Sequence, residues 1–261
     1  MGIVNVTPDS FSDGGHFSSP VAALNHAQQL IQDGATIIDV GGESTRPGSS
    51  TVSLQQELDR VIPVIEKLSA STSCLISIDT QKSTVADLAI QSGAHIVNDV
   101  SSGRNDPHMM EVVARYKVPY VMMHMQGTPK SMQDSPHYSD VISEIKEYFN
   151  DRLKHADSQG INRSQIILDP GIGFGKSLSD NLKIMANIDE FHSFGCPLLI
   201  GASRKSFIDM IHHSEVHKRL GGSLAAALAV LPKNVQIYRV HDVFETCQAL
   251  NIFTAIQKHL D

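Results

Sequence analysis

The sequence predicts a single α/β domain over residues 1–261, a (β/α)8 barrel of eight parallel strands. Short apolar runs alternate eight times with amphipathic segments of helical period. Unbroken apolar strands that alternate with helices are typical of a parallel sheet covered on both faces. Eight such units in about 250 residues match this barrel. No linker or low-complexity tract divides the chain. The rival architecture is a doubly wound open sheet, which shares the alternation.

The predicted strands are short, mostly apolar runs. They are Ile3–Val6, Thr36–Val40, Leu75–Ile78, His95–Val97, Tyr120–Met123, Ile166–Leu168, Leu198–Ile200 and Val235–Tyr238. Each is followed by a polar segment that contains the turn and the start of the next helix.

The predicted helices lie between these runs. They are Pro20–Asp33, Leu54–Ser69, Ser83–Gln91, Pro107–Tyr116, Ser139–Gly160, Ser179–Phe191, Arg204–Leu231 and Asp242–His259. The long seventh segment is expected to break near His213–Glu215.

Charge and cysteine content exclude several classes of protein. The net charge is −7 with His neutral, whereas a sequence-independent nucleic-acid binder needs a basic surface. The three cysteines are far apart and form no C-x-x-C, which excludes a disulfide framework or zinc knuckle and fits a reducing cytosol. No apolar run approaches the roughly 18 residues of a membrane span. We therefore expect a cytoplasmic protein that binds neither nucleic acid nor membrane.

Polar residues stand at the end of every predicted strand. They are Asn5, Asp39, Asp79, Asn98, Asp99, His124, Asp169, Ser203, Arg204, Lys205, Arg239 and His241. In a barrel these ends meet on the face where active sites lie. A single such residue is usually a helix cap or turn former, but caps do not call for Lys, Arg and His. The set predicts a site on this face.

The segment Asp169–Ser177 (DPGIGFGKS) superficially resembles a phosphate-binding loop. That loop requires G-x-x-x-x-G-K-[ST], and the position of its first glycine is occupied by Pro170. The spacing excludes this motif. Three alternate glycines after a carboxylate instead predict a backbone that approaches a flat ligand closely. The alternative is a glycine-rich turn that caps the next helix.

Two long loops and one pair of cations complete the candidate site. The loops after strands one and two are long for their position, which is typical of binding loops or lids. The alternative is a pair of long surface loops without a binding role, but Phe11 and Arg46 are costly residues to leave unused at a loop tip. Arg239 and His241 are two apart and share one side of a strand, an arrangement that suits a phosphate or pyrophosphate. The Met-rich stretch Met122–Gln126 is more typical of core packing. No histidine or carboxylate spacing indicates a structural metal.

Taken together, these motifs closely resemble those of the bacterial dihydropteroate synthases, a family of pterin-binding TIM barrels. The segments that carry the resemblance are Asn5–Gly15 (NVTPDSFSDGG), Asp39–Gly48 (DVGGESTRPG), Ser77–Thr80 (SIDT), Val97–Val100 (VNDV), Met123–Gly127 (MHMQG), Asp169–Lys176 (DPGIGFGK), Ser203–Ser206 (SRKS) and Arg239–Asp242 (RVHD). The resemblance implies condensation of a dihydropterin pyrophosphate with 4-aminobenzoate in folate biosynthesis, inhibition by sulfonamides, and a homodimer.

The resemblance also implies roles for individual residues. It assigns catalysis to Asp79, Lys205, Arg46 and Asp13. It assigns the pterin to Asp79, Asn98, Asp169, Lys205, Phe174, Gly173 and Met122. It assigns the pyrophosphate to Asn5, Thr45, Arg46, Arg239 and His241. It assigns 4-aminobenzoate to Phe11, Thr45, Pro47 and Ser206. Asn5 is also expected to ligate the cofactor Mg²⁺ held by the pyrophosphate.

The chemistry of the implied reaction fits these residue types. The N–H and amino group of a pterin form a fork that one carboxylate, Asp169, can accept on both oxygens. Loss of pyrophosphate leaves a cation delocalised into the ring, which Asp79 would stabilise without moving. The arylamine attacks as a neutral nucleophile, so no general base is needed. Both loops are rich in Gly and Ser, and we expect the bound anion to order them before 4-aminobenzoate enters.

Two alternatives remain at this level. The pterin-binding domains of corrinoid methyltransferases share the pterin-reading Asp and Asn but have no need of the two loops or the Arg-Val-His pair. A catalytically inactive paralogue would be expected to have lost Arg46, Lys205 or His241, and all three are present.

Overall fold

The computed structural model of the chain describes residues 1–7, 19–44, 51–128, 132 and 136–259. Within them the strands are β1 (Gly2–Asn5), β2 (Ile37–Gly41), β3 (Leu75–Asp79), β4 (Ile96–Asp99), β5 (Tyr120–Met123), β6 (Ile166–Asp169), β7 (Leu199–Ile200) and β8 (Ile237–Tyr238). The α-helices are α1 (Ser19–Gln32), α2 (Leu54–Ser71), α3 (Ser83–Gln91), α4 (Met109–Tyr116), α5 (Val141–Ser158), α6 (Leu178–Ala186), α7 (Ser206–Ile211), α8 (Leu220–Val230) and α9 (Val243–Gln257).

The strands are parallel and follow one another in chain order around a ring. β1 to β6 form one six-stranded sheet, and β7 pairs with β8. Isolated parallel bridges join the two arcs, one between Leu168 and Leu198 and the other between Gly2 and Val240. At the second junction the amide of Ile3 donates to the carbonyl of Val240 at 3.1 Å. The eight-unit barrel prediction is confirmed, with two of its junctions held by single bridges rather than by continuous ladders.

Alternation along the strands divides the core into two layers. Side chains that point to the ring's interior form a small cluster: Ile37, Ile96, Val121, Ile167 and Leu199. The neighbouring residues on the same strands point outward, into the much larger core between strands and helices. Strand parity therefore decides which side chains can reach the site, since Asn98, Met123 and Asp169 each lie two residues beyond an interior apolar position, at the carboxyl end of their strand.

Of two helix features predicted from the pattern, the structure confirms one and corrects the other. The predicted break in the seventh segment is present, because α7 ends at Ile211 and α8 begins at Leu220. The sixth helix was predicted to reach Phe191 but ends at Ala186, where the side-chain amide of Asn187 donates to the carbonyl of Lys183 at 2.8 Å. The chain then continues as a 3-10 helix over Ile188–Phe194, whose apolar residues extend the helical pattern seen in the sequence.

None of the helices in the described part of the chain combines the length and the apolar character that crossing a membrane requires.

Candidate active site

A cavity opens at the carboxyl ends of the strands. The structure brings seven of the predicted residues to its wall: Asp79, Asn98, Asp169, Phe174, Lys205, Arg239 and His241. Asp79, Asn98 and Asp169 come from β3, β4 and β6, and the other four come from the loops that follow β6, β7 and β8. The site is therefore built on the carboxyl ends of the strands. The cavity therefore contains both predicted ring-binding residues and the predicted cation pair.

Arg239 crosses the floor of this cavity between two carboxylates. Its Nε lies 2.6 Å from Oδ2 of Asp39, and its terminal nitrogen lies 2.7 Å from Oδ2 of Asp79. Burial alone would lower the pKa of Arg239, but the two carboxylates outweigh it and raise that pKa. Burial raises the pKa of Asp79 to about 7, although Arg239 opposes the shift. Arg239, which is predicted to bind the anion, thus also neutralises negative charge at the floor of the cavity.

Asn98 is fixed by the same group of charges. Its side-chain amide nitrogen donates to Oδ2 of Asp39 at 3.0 Å. Because a carboxylate can only accept, the amide orientation is set, and the other end of the amide is the oxygen. Asn98 is buried and lines the cavity, so it can offer an acceptor to a ligand N–H.

Asp169 ends β6 on the opposite side of the cavity. It is buried, and burial raises the pKa of its carboxyl group. Its Oδ1 accepts the amide of Gly171 at 2.8 Å, which holds the carboxylate at the start of the glycine-rich loop. One oxygen is thereby anchored to the backbone while the side chain still faces the cavity.

The glycines of that loop are required by protein packing. Gly171 and Gly175 have positive φ angles, and a Cβ at these positions would lie 2.0 Å from the carbonyl oxygen of His124 and 2.4 Å from that of Gln126. A Cβ on Gly173, which also has a positive φ, would lie 3.1 Å from Cδ of Lys205. Gly171 and Gly175 therefore let this loop pack on the chain that follows β5, whereas Gly173 lies against Lys205. The close approach of this backbone to a flat ligand stays a prediction.

Lys205 lies above the glycine-rich loop. Its ammonium nitrogen is 4.0 Å from the centre of the Phe174 ring, a cation–π contact. The pair forms one side of the cavity, with a positive charge over an aromatic surface. Ser206, predicted for 4-aminobenzoate, is exposed at the first turn of α7.

His241 contacts the end of β7 through Ser203. The Nδ1 of His241 and Oγ of Ser203 are 3.0 Å apart, and the backbone amide of His241 donates to the same hydroxyl at 3.2 Å. Arg239 and His241 both line the cavity, so the prediction that they share one side is confirmed. Arg204, which follows Ser203 in the sequence, instead forms an ion pair with Asp242.

The structure corrects the position of one predicted pterin residue. Met122 is fully buried in the outer core, whereas Met123 lines the cavity and packs with Met125 and Phe174. Val121 belongs to the interior cluster, so the interior parity of β5 falls on Val121 and Met123. The Met-rich stretch thus has two roles, since Met122 packs in the outer core and Met123, two residues after the interior residue Val121, lines the cavity.

Asn5 ends β1 on the same side as Ile3, a residue that lines the cavity. No group of three or more His, Cys, Asp or Glu side chains within the described ranges is arranged to hold a metal ion. A single oxygen from Asn5 fits a divalent cation whose other ligands come from a bound phosphate group and water.

Several predicted residues lie outside the described part of the chain. They are Phe11, Asp13, Thr45, Arg46 and Pro47. Their assigned roles stay predictions.

The remaining residues that line the cavity had no ligand role predicted from the sequence. They are Ile3, Val100, Met123, Ile172, Gly201 and Ser203. Strand parity could have found Ile3 and Met123, because each lies two residues from another interior position.

A buried ion network beside the cavity was also missed. Lys82 contacts the carboxylates of Glu43 and Glu57, and Glu57 is fully buried on α2. Thr80 donates its hydroxyl to Glu57 at 2.6 Å, and the amide of Val52 donates to Glu43 at 3.3 Å. The network ties together the residues on both sides of the 45–50 segment.

These features define a (β/α)8-barrel enzyme with a site for a polar ring and an adjoining anion. Comparison with known proteins identifies the ring: the model of the pterin binding enzyme family matches residues 1–241. The dihydropteroate synthase of Escherichia coli K12 is 48% identical over 255 residues, covering 98% of this chain and 90% of that protein. The one from Synechocystis is 43% identical over 257 residues, covering 98% and 89%.

Solved structures agree with the sequence comparison. The Yersinia pestis dihydropteroate synthase in a sulfonamide drug complex has a TM-score of 0.94 at 44% identity, covering 99% of this chain and 94% of that one. The Xanthomonas albilineans enzyme in complex with 7,8-dihydropteroate has a TM-score of 0.89 at 40% identity, covering 98% and 92%. The chain belongs to the pterin binding enzyme family, as one of its dihydropteroate synthases.

Proposed function

We propose that the chain condenses (7,8-dihydropterin-6-yl)methyl diphosphate with 4-aminobenzoate, releasing diphosphate and 7,8-dihydropteroate. The observation that carries this assignment is the presence, in one cavity, of a buried Asp169 and Asn98 together with Arg239 and His241. The first pair suits the edge of a pterin ring, and the second suits a diphosphate. A site for a pterin alone would not need the second pair.

Recognition of the pterin follows from complementary hydrogen bonds. Asp169 accepts the ring N–H and the 2-amino group, and the oxygen of Asn98 accepts the other hydrogen of that amino group. Lys205 donates to the oxygen edge of the ring, and Phe174 packs beside it. Three elements of the barrel thus contact one heterocycle, which fixes the exocyclic carbon relative to the anion site.

Bond breaking is assisted by charge on both fragments. As the C–O bond to diphosphate breaks, positive charge spreads into the pterin ring, and Asp79 lies at the cavity wall to stabilise it. Arg239 and His241 stabilise the negative charge of the departing diphosphate. The arylamine nitrogen then forms the new C–N bond and loses a proton, so atoms and charge balance without a general base.

Asn5 would hold Mg²⁺ through its side-chain oxygen, together with oxygens of the bound diphosphate, a donor type that Mg²⁺ prefers. When bound, the ion neutralises charge on the leaving group.

The arylamine site is assigned to Phe11, Thr45, Pro47 and Ser206. Sulfonamides, which share the shape of 4-aminobenzoate, are proposed to compete there, in keeping with the sulfonamide complex of the Yersinia pestis relative.

The reaction is tested by measuring diphosphate release from the dihydropterin diphosphate with Mg²⁺, with and without 4-aminobenzoate. Release that depends on the arylamine is the expected result. Asp79→Asn is the matched variant, because it keeps the shape of the side chain but removes the charge that stabilises the cation. Pterin binding without arylamine-dependent release would instead support a methyltransferase domain or an inactive paralogue.

We further propose a cytoplasmic homodimer. A groove of about 430 Å³ lies between α6, α7 and α8 and is lined by apolar side chains that include Leu182, Phe207, Ile211 and Ala229. Ile211 is 60% exposed, and a second copy of the chain would cover this face. Sedimentation of wild type and Ile211→Glu tests the assignment, with a dimer expected only for wild type. The three free cysteines fit a reducing compartment.

A further inference from the structure

Asp39 lies deeper in the barrel than its predicted position at a strand end. It is in the middle of β2, which ends two residues later at Gly41. It shares the interior parity of Ile37 and is fully buried. Its neighbours in register are Ile3 on β1 and Ser77 on β3. Nothing assigned to the reaction so far uses this carboxylate directly.

One oxygen of Asp39 makes two bonds to the active site. Its Oδ2 accepts Nε of Arg239 at 2.6 Å and the side-chain amide of Asn98 at 3.0 Å. Arg239 directly follows β8 and Asn98 is in β4, so the two partners lie on either side of β2 and β3. A single atom thus links the predicted anion-binding cation to the predicted pterin-binding amide.

The other oxygen shows that stability does not explain this residue. Oδ1 of Asp39 is buried and has no hydrogen-bond partner among the described residues. A buried carboxylate with an unsatisfied oxygen is costly, and an apolar residue such as Ile37 at this level would avoid that cost. Rule-breaking polar groups of this kind are expected at functional sites.

We propose that Asp39 is a positioning residue of the reaction, which aligns the pterin-binding end of the site with the diphosphate-binding end. By accepting the amide nitrogen of Asn98, it turns the amide oxygen toward the pterin. By accepting Nε of Arg239, it holds the guanidinium where its terminal nitrogen reaches Asp79 and the departing diphosphate. This inference rests on the proposed function.

The charge of Asp39 also acts on Asp79. The charged groups that act on Asp79 are Arg239 directly after β8, Asp39 from β2, Asp99 from β4 and Glu57 from α2. Asp169 and Lys205 line the same cavity. The pKa of Asp79 is raised first by burial and also by Asp39, while Arg239 lowers it. Without the charge of Asp39, one of the groups that raise the pKa of Asp79 is gone, and Arg239 forms its ion pair with Asp79 alone. The pKa of Asp79 should therefore fall.

Two substitutions separate the hydrogen bond from the charge. Asp39→Asn removes the charge but keeps an oxygen that can accept from both partners. Asp39→Val has a similar volume and removes the acceptor as well. Ser77→Ala is the control, because Ser77 is the neighbour of Asp39 in register, is equally buried, and its hydroxyl has no hydrogen-bond partner within the described ranges.

Three quantities are measured on each full-length protein: the Kd of 6-hydroxymethyl-7,8-dihydropterin without diphosphate, kcat and KM for the diphosphate substrate, and the pH dependence of kcat/KM. Asp39→Val should weaken dihydropterin binding at least about tenfold, and Asp39→Asn by no more than about threefold. Both should lower kcat and move the acidic limb of the pH profile to lower pH. Ser77→Ala should match wild type in all three.

An unchanged dihydropterin Kd in folded Asp39→Val would overturn the assignment, as would an unchanged acidic limb in Asp39→Asn. If Asp39→Val fails to fold, the pH profile of Asp39→Asn still tests the proposal, because that substitution is isosteric. Failure of the proposed function is a separate outcome, since wild type itself would then show no arylamine-dependent release of diphosphate.

Discussion

The ammonium nitrogen of Lys176 lies 3.0 Å from Nδ1 of His124, at a point where both residues are buried. The same nitrogen lies 3.2 Å from the carbonyl oxygen of His124 and 3.0 Å from that of Phe174. Three acceptors therefore match the three N–H donors of a lysine. The contact joins the chain after β5 to the loop after β6, where Gly171 also needs the close approach. Lys176 thus has a structural role beneath the cavity, and its side chain supports the loop that carries Phe174.

Lys176 should make the stability of the protein depend on pH above neutrality. Burial lowers its pKa from 10.5 to about 7. Between these values the unfolded chain binds more protons than the folded one, so the free energy of unfolding rises with pH across that window. We expect the stability of wild type relative to Lys176→Met to increase from pH 7 to 9.5 in urea unfolding. A difference between the two proteins that does not change with pH would contradict this assignment.

Burial acts on His124 in the same direction. It lowers the pKa of the imidazole to about 2, with the charge of Lys176 adding to the effect. His124 should therefore stay neutral throughout the physiological range, and its ring nitrogen resonances should not titrate between pH 5 and 8. Titration of the His124 ring within this range would show that the site near Lys176 is open to water.

Asp169→Asn should weaken pterin binding strongly. The substitution keeps an oxygen for the amide of Gly171 but presents an amino group where the pterin requires an acceptor. Loss of one partner of a buried charge-assisted pair costs about 2–5 kcal/mol in binding. Titration calorimetry with 6-hydroxymethyl-7,8-dihydropterin measures the change. A dissociation constant equal to that of wild type would remove Asp169 from the pterin site.

His241→Ala should discriminate between two forms of the pterin. His241 is assigned to the diphosphate, so its loss should weaken the diphosphate substrate far more than the dihydropterin alcohol. Ser203→Ala is the matched comparison, because it removes the hydroxyl that lies 3.0 Å from Nδ1 while leaving the imidazole in place. Equal losses for both ligands in His241→Ala would mean that the residue supports the loop rather than the anion.

Much of this architecture could be predicted from local patterns, whereas the pairing of charges could not. The alternation of apolar runs and helical segments predicted the strands, and strand ends predicted the cavity wall. The sequence could not show that Arg239 contacts Asp39 and Asp79, since these residues meet only when the ring closes. For the same reason Lys176 was predicted as part of a ligand loop, although its acceptors lie in the chain after β5 and in its own loop.

The activity should fall as pH drops through neutrality. Burial raises the pKa of Asp79 to about 7, and the proposed role requires the ionised form. A pH profile of kcat/KM for the pterin diphosphate should therefore show an acidic limb near pH 7. The linked effect on stability has the opposite sign: the folded chain binds the extra proton above pH 3.8, so this group's contribution to stability decreases as pH rises toward 7. A flat profile from pH 6 to 8 would contradict the assignment.

The order of substrate binding is the last prediction. The cavity is lined by predicted pterin-binding residues together with Arg239 and His241. The predicted arylamine site depends instead mainly on Phe11, Thr45 and Pro47. These three lie outside the described residues. Thr45 and Pro47 are adjacent in sequence to the proposed diphosphate ligand Arg46, and Phe11 belongs to the loop that follows the proposed Mg²⁺ ligand Asn5. Because one pair of loops would contact both the anion and the arylamine, binding of the first should create the site for the second. Filling the anion site first would also exclude water before the cation forms.

This order is measured by the equilibrium binding of 4-aminobenzoate, or of a sulfonamide, with and without diphosphate and Mg²⁺. Binding should be detected only when the anion is present, and Arg239→Met should reduce that dependence because it removes a cation from the anion site. The same measurement with inorganic sulfate in place of diphosphate tests whether any anion suffices. Equally tight arylamine binding to the protein without diphosphate would exclude compulsory order, since the arylamine site would then exist before the anion site is filled.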